Sequence, residues 1–163
     1  MKPSAFLLAL VGVCVLQGAA GTRLTLAGVQ PDLFLILAVG ASLGVAPEAA
    51  ALMGFLAGLY QDALSGAPLG LRAFTLTLMA FGAARVGREL EAGRPAAQFA
   101  VLLGGAALAG VITLATLSFF FGPPPLLATL LRVMVPETLL TAALGTALLG
   151  AARLWRTVRK AAA

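Results

Sequence analysis

Residues 54–70, GFLAGLYQDALSGAPLG, combine an apolar run with a single carboxylate and a turn sequence. In a helix, the four-residue spacing of Gly54, Gly58 and Asp62 places all three on one face. Each glycine inside a helix costs about 1 kcal/mol relative to alanine, so two in register predict that another backbone approaches this face closely. Residues 65–68, SGAP, are typical of a helix end. Two interpretations of the face stay open: packing within this chain, or contact with a partner or ligand.

The composition is that of an integral membrane protein. Of the 163 residues, 61% are hydrophobic and 10% are charged, and the mean hydropathy is +1.03. These values lie far outside the range of soluble proteins. The length predicts a single polytopic membrane domain over residues 1–163, built as a bundle of spanning helices without a separate soluble domain.

The chain lacks the residue types on which most enzyme and metal chemistry depends. It contains no histidine and a single cysteine, Cys14, within an apolar run. The commonest general base and metal ligand is therefore missing, and no serine or cysteine has a nearby base. The formal net charge is +5, but the cations flank apolar segments and form no basic patch with aromatic residues. We expect no enzymatic activity, no cofactor, no metal site and no nucleic-acid partner.

Apolar runs separated by proline, glycine and charged residues predict an all-α protein with six transmembrane helices. The predicted spans are residues 3–20, 32–46, 48–64, 70–86, 96–121 and 136–153, with a short interfacial helix over residues 126–135. Residues 3–20 also fit a signal peptide, and we interpret them as a membrane anchor. The second span is the weakest, because its apolar part is only ~20 Å long, shorter than the hydrocarbon core.

The distribution of charge predicts the orientation in the membrane. With six spans both termini lie on one side, which carries eight of the eleven Lys and Arg residues: Lys2, Arg85, Arg88, Arg94, Arg153, Arg156, Arg159 and Lys160. By the positive-inside rule this side is cytoplasmic. The opposite side carries three cations and three acids: Arg23, Arg72, Arg132, Asp32, Asp62 and Glu137.

Asp62 is expected near the outer edge of the hydrocarbon, where it can pair with Arg72 just past the turn. An ion pair at such a boundary is worth about 1 kcal/mol or less. Membrane carboxylates are also candidates for proton or ion pathways. The predicted spans, however, carry no second layer of acids or histidines at greater depth. We therefore expect an ion pair at a helix end and no relay across the membrane.

Three stretches together resemble the MreD family of rod shape-determining membrane proteins. They are residues 31–33, PDL, residues 54–62, GFLAGLYQD, and residues 65–71, SGAPLGL. The resemblance is concentrated in residues 31–75, and the chain length, the number of spans and a helix start at Pro136 fit the family throughout. After Pro136 this chain has ETLL, where the family often carries an aromatic residue and an asparagine. The residues of this structural or partner-binding motif are Pro31, Asp32, Gly54, Gly58, Asp62, Gly66, Pro68, Gly70 and Arg72.

The resemblance implies a non-enzymatic component of the cell-elongation machinery in the bacterial cytoplasmic (inner) membrane. Such a protein supports lateral peptidoglycan synthesis and the regulation of cell shape by binding partner helices within the lipid bilayer. The implied partners are an MreC-like single-pass membrane protein and, further, the actin-like MreB, RodA and penicillin-binding protein 2. The implied fold is like that of the S-component of energy-coupling-factor transporters, with six helices around a small central cavity.

The alternative function is that of an S-component itself, which binds a vitamin or a metal for a transporter. Kinship of fold alone does not establish transport. A binding subunit needs polar groups that converge on a mostly apolar pocket, and the predicted spans offer few aromatic and almost no polar side chains. The sequence therefore favours the structural, partner-binding protein, and we expect the central cavity to offer few hydrogen-bonding groups.

Overall fold

The structure, a computed structural model, describes residues 3–20, 29–65, 69–87, 95–122 and 129–161. These residues form six α-helices. The helices are α1 (Pro3–Ala20), α2 (Leu33–Ser42), α3 (Pro47–Ser65), α4 (Leu71–Arg85), α5 (Pro95–Phe121) and α6 (Val135–Ala161), and a π-helical turn (Leu130–Met134) precedes α6. The bounds of α1, α3, α4 and α5 lie within one residue of the segments predicted from the sequence.

Helix α2 lies at the centre of the bundle and contacts the five other helices. Seven of its ten residues are buried. One side of α2, which includes Phe34 and Leu35, belongs to a core cluster shared with α1, α3 and α4. Ile36 and Val39 belong to a second cluster together with Leu102 of α5 and Ala142 of α6. The hydrophobic core is therefore built around the shortest of the six described α-helices.

The predicted second span, residues 32–46, is longer than the helix that the chain forms there. The ten residues of α2 rise only about 15 Å, roughly half of the hydrocarbon thickness. The helix gives way at Leu43 to a turn in which Gly44 has a positive φ of 71°, and Pro47 then begins α3. A helix enclosed by five others meets little lipid, so its length is not set by the bilayer. Its ends must instead be satisfied by neighbouring helices.

The most extensive helix contact joins α3 to α4, and two buried glycines of α3 lie in it. A Cβ atom placed on Gly54 would overlap the carbonyl oxygen of Leu76 and lie 2.8 Å from the Cβ of Ala80. A Cβ atom on Gly58 would overlap the Cα of Ala73 and lie 2.5 Å from the carbonyl oxygen of Arg72. The glycine face of α3 therefore packs within the chain, against the backbone of α4.

The prediction of a separate interfacial helix over residues 126–135 is wrong for residues 129–135. Residues 126–128 lie outside the described residues. The π-helical turn Leu130–Met134 runs directly into α6, and the N–H of Val135 donates to the carbonyl oxygen of Leu130. Pro136 thus lies inside a continuous helix that extends to Ala161, beyond the predicted end at residue 153. Proline has no N–H, and its ring crowds the preceding helical turn. The wider π turn relieves this crowding.

Two segments of the described residues are long and apolar enough to cross a membrane, by length and composition. They are Pro95–Thr116 in α5 and Leu130–Trp155, which comprises the π-helical turn and most of α6. The apolar segments Ala5–Gly18 and Leu33–Ser42 are shorter. In the most apolar 18-residue window of each long segment only 28% of the residues are buried, so both helices leave part of their apolar surface uncovered by the described residues.

We expect Gly58→Ala to destabilise the protein, because the new methyl group must displace the backbone of α4. Overpacking of this kind typically costs about 1–3 kcal/mol of unfolding free energy. Gly82→Ala in α4 is the matched control, because a Cβ atom there meets nothing within 4 Å. It should leave the stability unchanged or raise it by up to about 1 kcal/mol. SDS titration in mixed micelles, followed by circular dichroism, measures both; equal effects would contradict the close contact of α3 with α4.

Candidate functional site: a buried polar cluster

Asp62, in the last turn of α3, caps the start of the neighbouring helix α4. Its side chain is buried, with 1% of the residue surface exposed. Oδ2 accepts hydrogen bonds from the backbone N–H groups of Gly70 (2.9 Å) and Ala73 (3.2 Å), and Oδ1 accepts one from Arg72 (3.0 Å). These N–H groups belong to the first turn of α4, where a helix offers no backbone acceptors of its own. The negative charge also lies at the positive end of the helix dipole.

Asp32 performs the same task for α2. Its Oδ1 accepts a hydrogen bond from the backbone N–H of Leu35 at 3.0 Å, as expected of an N-cap residue. The backbone N–H of Asp32 in turn donates to Oγ1 of Thr141 at 3.0 Å. Because Thr141 is a buried residue of α6, this bond fixes the start of the central helix to the last helix of the bundle.

Arg72 joins the two capped helices. Its Nη1 lies 3.0 Å from Oδ2 of Asp32 and forms a salt bridge across to α2. Nε2 of Gln61, on α3, donates to the other oxygen of Asp32 at 3.2 Å. A buried carboxylate of this kind is stabilised by charge-assisted hydrogen bonds and by its ion pair. Side chains of α3 and α4 thus converge on the carboxylate of α2.

The ion pair predicted between Asp62 and Arg72 is wrong. Arg72 is in the first turn of α4, where backbone N–H groups point toward the start of the helix and hence toward Asp62. The guanidinium group extends instead to Asp32. Asp62 therefore has backbone N–H groups as its partners, and it depends on the position of α4 more than on the charge of any side chain.

The other motif residues lie in four places. Gly54 and Gly58 lie along the contact of α3 with α4, and Gly70 precedes α4 in the left-handed conformation with φ of 100°. The carbonyl oxygen of Pro31 accepts a hydrogen bond from Nε2 of Gln17 at 3.4 Å. Gly66 and Pro68 lie outside the described residues. The structure thus brings Asp32, Asp62, Gly70 and Arg72 into one hydrogen-bonded cluster.

Two members of this cluster, Gln61 and Thr141, are not among the motif residues predicted from the sequence. Gln61 is adjacent to Asp62, and Thr141 follows the acid Glu137 by one helical turn. Both are polar residues inside strongly apolar segments, where an unsatisfied polar group is costly. This cost predicts that each of the two side chains needs a hydrogen-bond partner.

The side chains of the cluster have a structural role. Each carboxylate oxygen of Asp32 and Asp62 accepts at least one hydrogen bond. Within the described parts of the chain, no group of three His, Cys, Asp or Glu residues is placed to hold a metal ion. The cluster therefore ties α2, α3, α4 and α6 together at one end of the bundle.

Asp62→Asn tests the role of the carboxylate as a helix cap. An amide offers one acceptor oxygen, and its NH₂ group would face an N–H donor, so we expect a loss of about 1.5–3 kcal/mol, the range for hydrogen bonds to charged groups. Glu48→Gln is the control, because Glu48 is an exposed acid in the first turn of α3 and its change should stay within about 0.5 kcal/mol. SDS titration measures both values, and an Asp62→Asn loss as small as that of the control would count against the cap.

Comparison with known proteins identifies the family. The model of the family described as rod shape-determining protein MreD matches residues 3–149 of this chain. No match was found among curated proteins or among solved structures. Since the family match covers far more than half of the 163 residues, the chain belongs to the MreD family of rod shape-determining proteins.

Proposed function

We propose that this protein is a scaffold of the bacterial cell-elongation machinery that binds partner helices within the cytoplasmic membrane. The observation that carries the proposal is the MreD family match over residues 3–149. As a member of this family, the chain is a non-enzymatic helical membrane protein with a role in rod shape determination. The finer statement, that the protein supports lateral peptidoglycan synthesis by holding other proteins together, is our proposal.

The proposed direct partner is an MreC-like single-pass membrane protein, and the further partners are MreB, RodA and penicillin-binding protein 2. The glycine face of α3 is not available to such a partner, because α4 covers it. The long apolar segments of α5 and α6 are mostly unburied. Without a hydrophobic force between helices in lipid, association at these surfaces depends on packing and on interhelical hydrogen bonds.

The polar cluster supports a scaffold more than a transporter subunit. The carboxylate oxygens of Asp32 and Asp62 are used to cap and join helices, so they are not free to coordinate a transported ion. Because these carboxylates find their partners on several helices of this chain, the cluster holds the helices together. Helices held together in this way, with apolar surface left on α5 and α6, suit a protein that positions others. The alternative, a vitamin- or metal-binding S-component of an energy-coupling-factor transporter, gains no support from this cluster.

We further propose a single domain with six spans in an S-component-like bundle and with both termini in the cytoplasm. The support for this orientation is the charge distribution, with eight of eleven cations on one side. In this orientation the polar cluster lies at the outer end of the bundle.

With Cys14 replaced, a cysteine introduced by Ala92→Cys is expected to resist a membrane-impermeant reagent in intact cells.

Depletion of the protein in the bacterium that encodes it tests the proposed function. We expect rod-shaped cells to widen and become round, and re-expression of the wild-type chain to restore their width. Glu48→Gln, the exposed control, should restore it equally well. The tagged protein should also copurify with an MreC-like protein identified by mass spectrometry.

Two results would contradict the proposal. One is normal cell width after the protein has been depleted. The other is copurification with the ATPase subunits of a transporter in place of an MreC-like protein, which would favour the S-component alternative.

A further inference from the structure

The last three turns of α6, residues 151–161, extend beyond the helix bundle, and we call them the terminal segment. Leu149 still packs against the second core cluster, and its Cδ2 lies 2.9 Å from a Cβ atom placed on Gly40 of α2. From residue 151 onward every side chain that the structure describes is exposed: Ala151, Ala152, Arg153, Leu154, Trp155 and Val158. Helices in proteins gain most of their stability by packing an apolar face. The bundle does not provide such packing for these side chains.

One side of the terminal segment is apolar. Its apolar stripe follows the i, i+3, i+4, i+7 spacing of one helix face and consists of Ala151, Leu154, Trp155 and Val158. The three larger side chains are strongly exposed, from 67% for Val158 to 72% for Trp155. Leu148, which is 47% exposed, lies two turns before Trp155 on the same side of α6. The stripe thus continues the exposed apolar side of the long apolar segment, as expected of a surface that contacts lipid.

The opposite side of the terminal segment is basic. Residues 151–161 contain no acid and four cations: Arg153, Arg156, Arg159 and Lys160. By their spacing, all of these except Arg159 share the side of the helix that carries Leu149, opposite the apolar stripe. The helix dipole favours cations in the last turn, but Arg153 and Arg156 precede that turn. Arg156 and Lys160 are four residues apart, and like charges at this spacing destabilise a helix. The basic side therefore favours an anionic partner.

The length of α6 can bring this basic side to the level of the lipid headgroups. The apolar segment Leu130–Trp155 is about 39 Å long at 1.5 Å per residue, whereas the hydrocarbon of a bilayer is about 30 Å thick. A helix longer than the hydrocarbon can accommodate the excess by tilting. At the end of a tilted helix, one side stays in the hydrocarbon for longer than the other. If the apolar stripe is the side that stays, the cations opposite emerge among the headgroups, with Trp155 at the boundary that tryptophan prefers.

We propose that the terminal segment binds the headgroups of anionic phospholipids. The lipid phosphates pair with the cations of the basic side, and the acyl chains contact Leu154, Trp155 and Val158. Basic residues at the end of a spanning helix, with tryptophan and leucine on the opposite side, are typical of segments that bind anionic membranes. An acidic protein would satisfy the cations but would leave the apolar stripe uncovered. A bilayer supplies both contacts, so the inference goes beyond the proposed function and does not depend on it.

Trp155 is the single tryptophan of the chain, so tryptophan fluorescence reports on the terminal segment alone. The full chain is reconstituted in vesicles of phosphatidylcholine and phosphatidylglycerol in equal amounts, and one of the two lipids carries dibrominated acyl chains. Bromine quenches tryptophan only at close range, so comparison of the two vesicle types gives the lipid preference around Trp155. We expect a preference of at least about fivefold for phosphatidylglycerol, which corresponds to about 1 kcal/mol from one cation. Both leaflets contain both lipids, so the orientation of the protein does not affect the result.

Two double variants separate the charge of the basic side from the shape of its side chains. Arg156→Gln combined with Lys160→Gln removes two cations and should lower the preference for phosphatidylglycerol at least about fivefold. Arg156→Lys combined with Lys160→Arg is the matched control, because it keeps both charges at the same positions, and it should retain the preference. Trp155 is unchanged in both variants, and circular dichroism checks that both remain helical.

Equal quenching of the wild-type protein by the two brominated lipids would overturn the proposal. Trp155 would then lie in the bilayer without a preference for anionic lipid, and the cations would be left to an acidic protein. Quenching by neither lipid would place the terminal segment outside the bilayer and would overturn the proposal as well. An equal preference in the wild type and in the glutamine variant would show that these cations do not cause it, with the same consequence.

Discussion

The arrangement of α2, α3 and α4 depends on two buried carboxylates that cap helix starts. A helix leaves its first N–H groups without intrahelical partners, and lipid offers no water to satisfy them. Asp32 caps its own helix, α2, whereas Asp62 is provided by α3 and caps α4. In each arrangement the backbone N–H groups gain acceptors and the buried carboxylate gains donors, so neither is left without a hydrogen-bond partner. The carboxylates therefore fix where two helices begin.

The glycines and Asp62 of α3 act as one surface. Gly54 and Gly58 let the backbone of α4 approach, and this approach brings the start of α4 within reach of Asp62. Arg72, in the first turn of α4, then reaches Asp32 of the central helix. One face of α3 thus determines the position of α4, and α4 helps to hold α2. The long helices α5 and α6 lie outside this arrangement, and fewer than a third of the residues in the most apolar window of each are buried, which leaves surface for the partner helices proposed above.

Much of this arrangement follows from the sequence, but the pairing of distant groups does not. The apolar runs and their proline and glycine boundaries predict most helix bounds, and the glycine spacing predicts a close contact for α3. The partner of Arg72 was predicted wrongly because α2 is apolar on nearly every side, so no polar face indicates how it is oriented in the bundle. The predicted start of the sixth helix at Pro136 lies within one residue of the start of α6 at Val135, but the sequence does not show that a π turn runs directly into this helix. A cavity beside the polar cluster is formed by the ends of α1, α2 and α3, and no single segment of the sequence shows that these ends meet.

A double-mutant cycle on Asp32 and Arg72 tests the central claim that a buried charge network joins the helices. Asp32→Asn, Arg72→Gln and the double variant are compared by SDS titration in mixed micelles. Either single change removes one charge of the pair and leaves the other without its partner, whereas the double variant has neither. If the two residues interact, the double variant loses less stability than the sum of the single losses, by at least about 1 kcal/mol. Losses that add to within about 0.5 kcal/mol would show independent residues and would contradict the central claim.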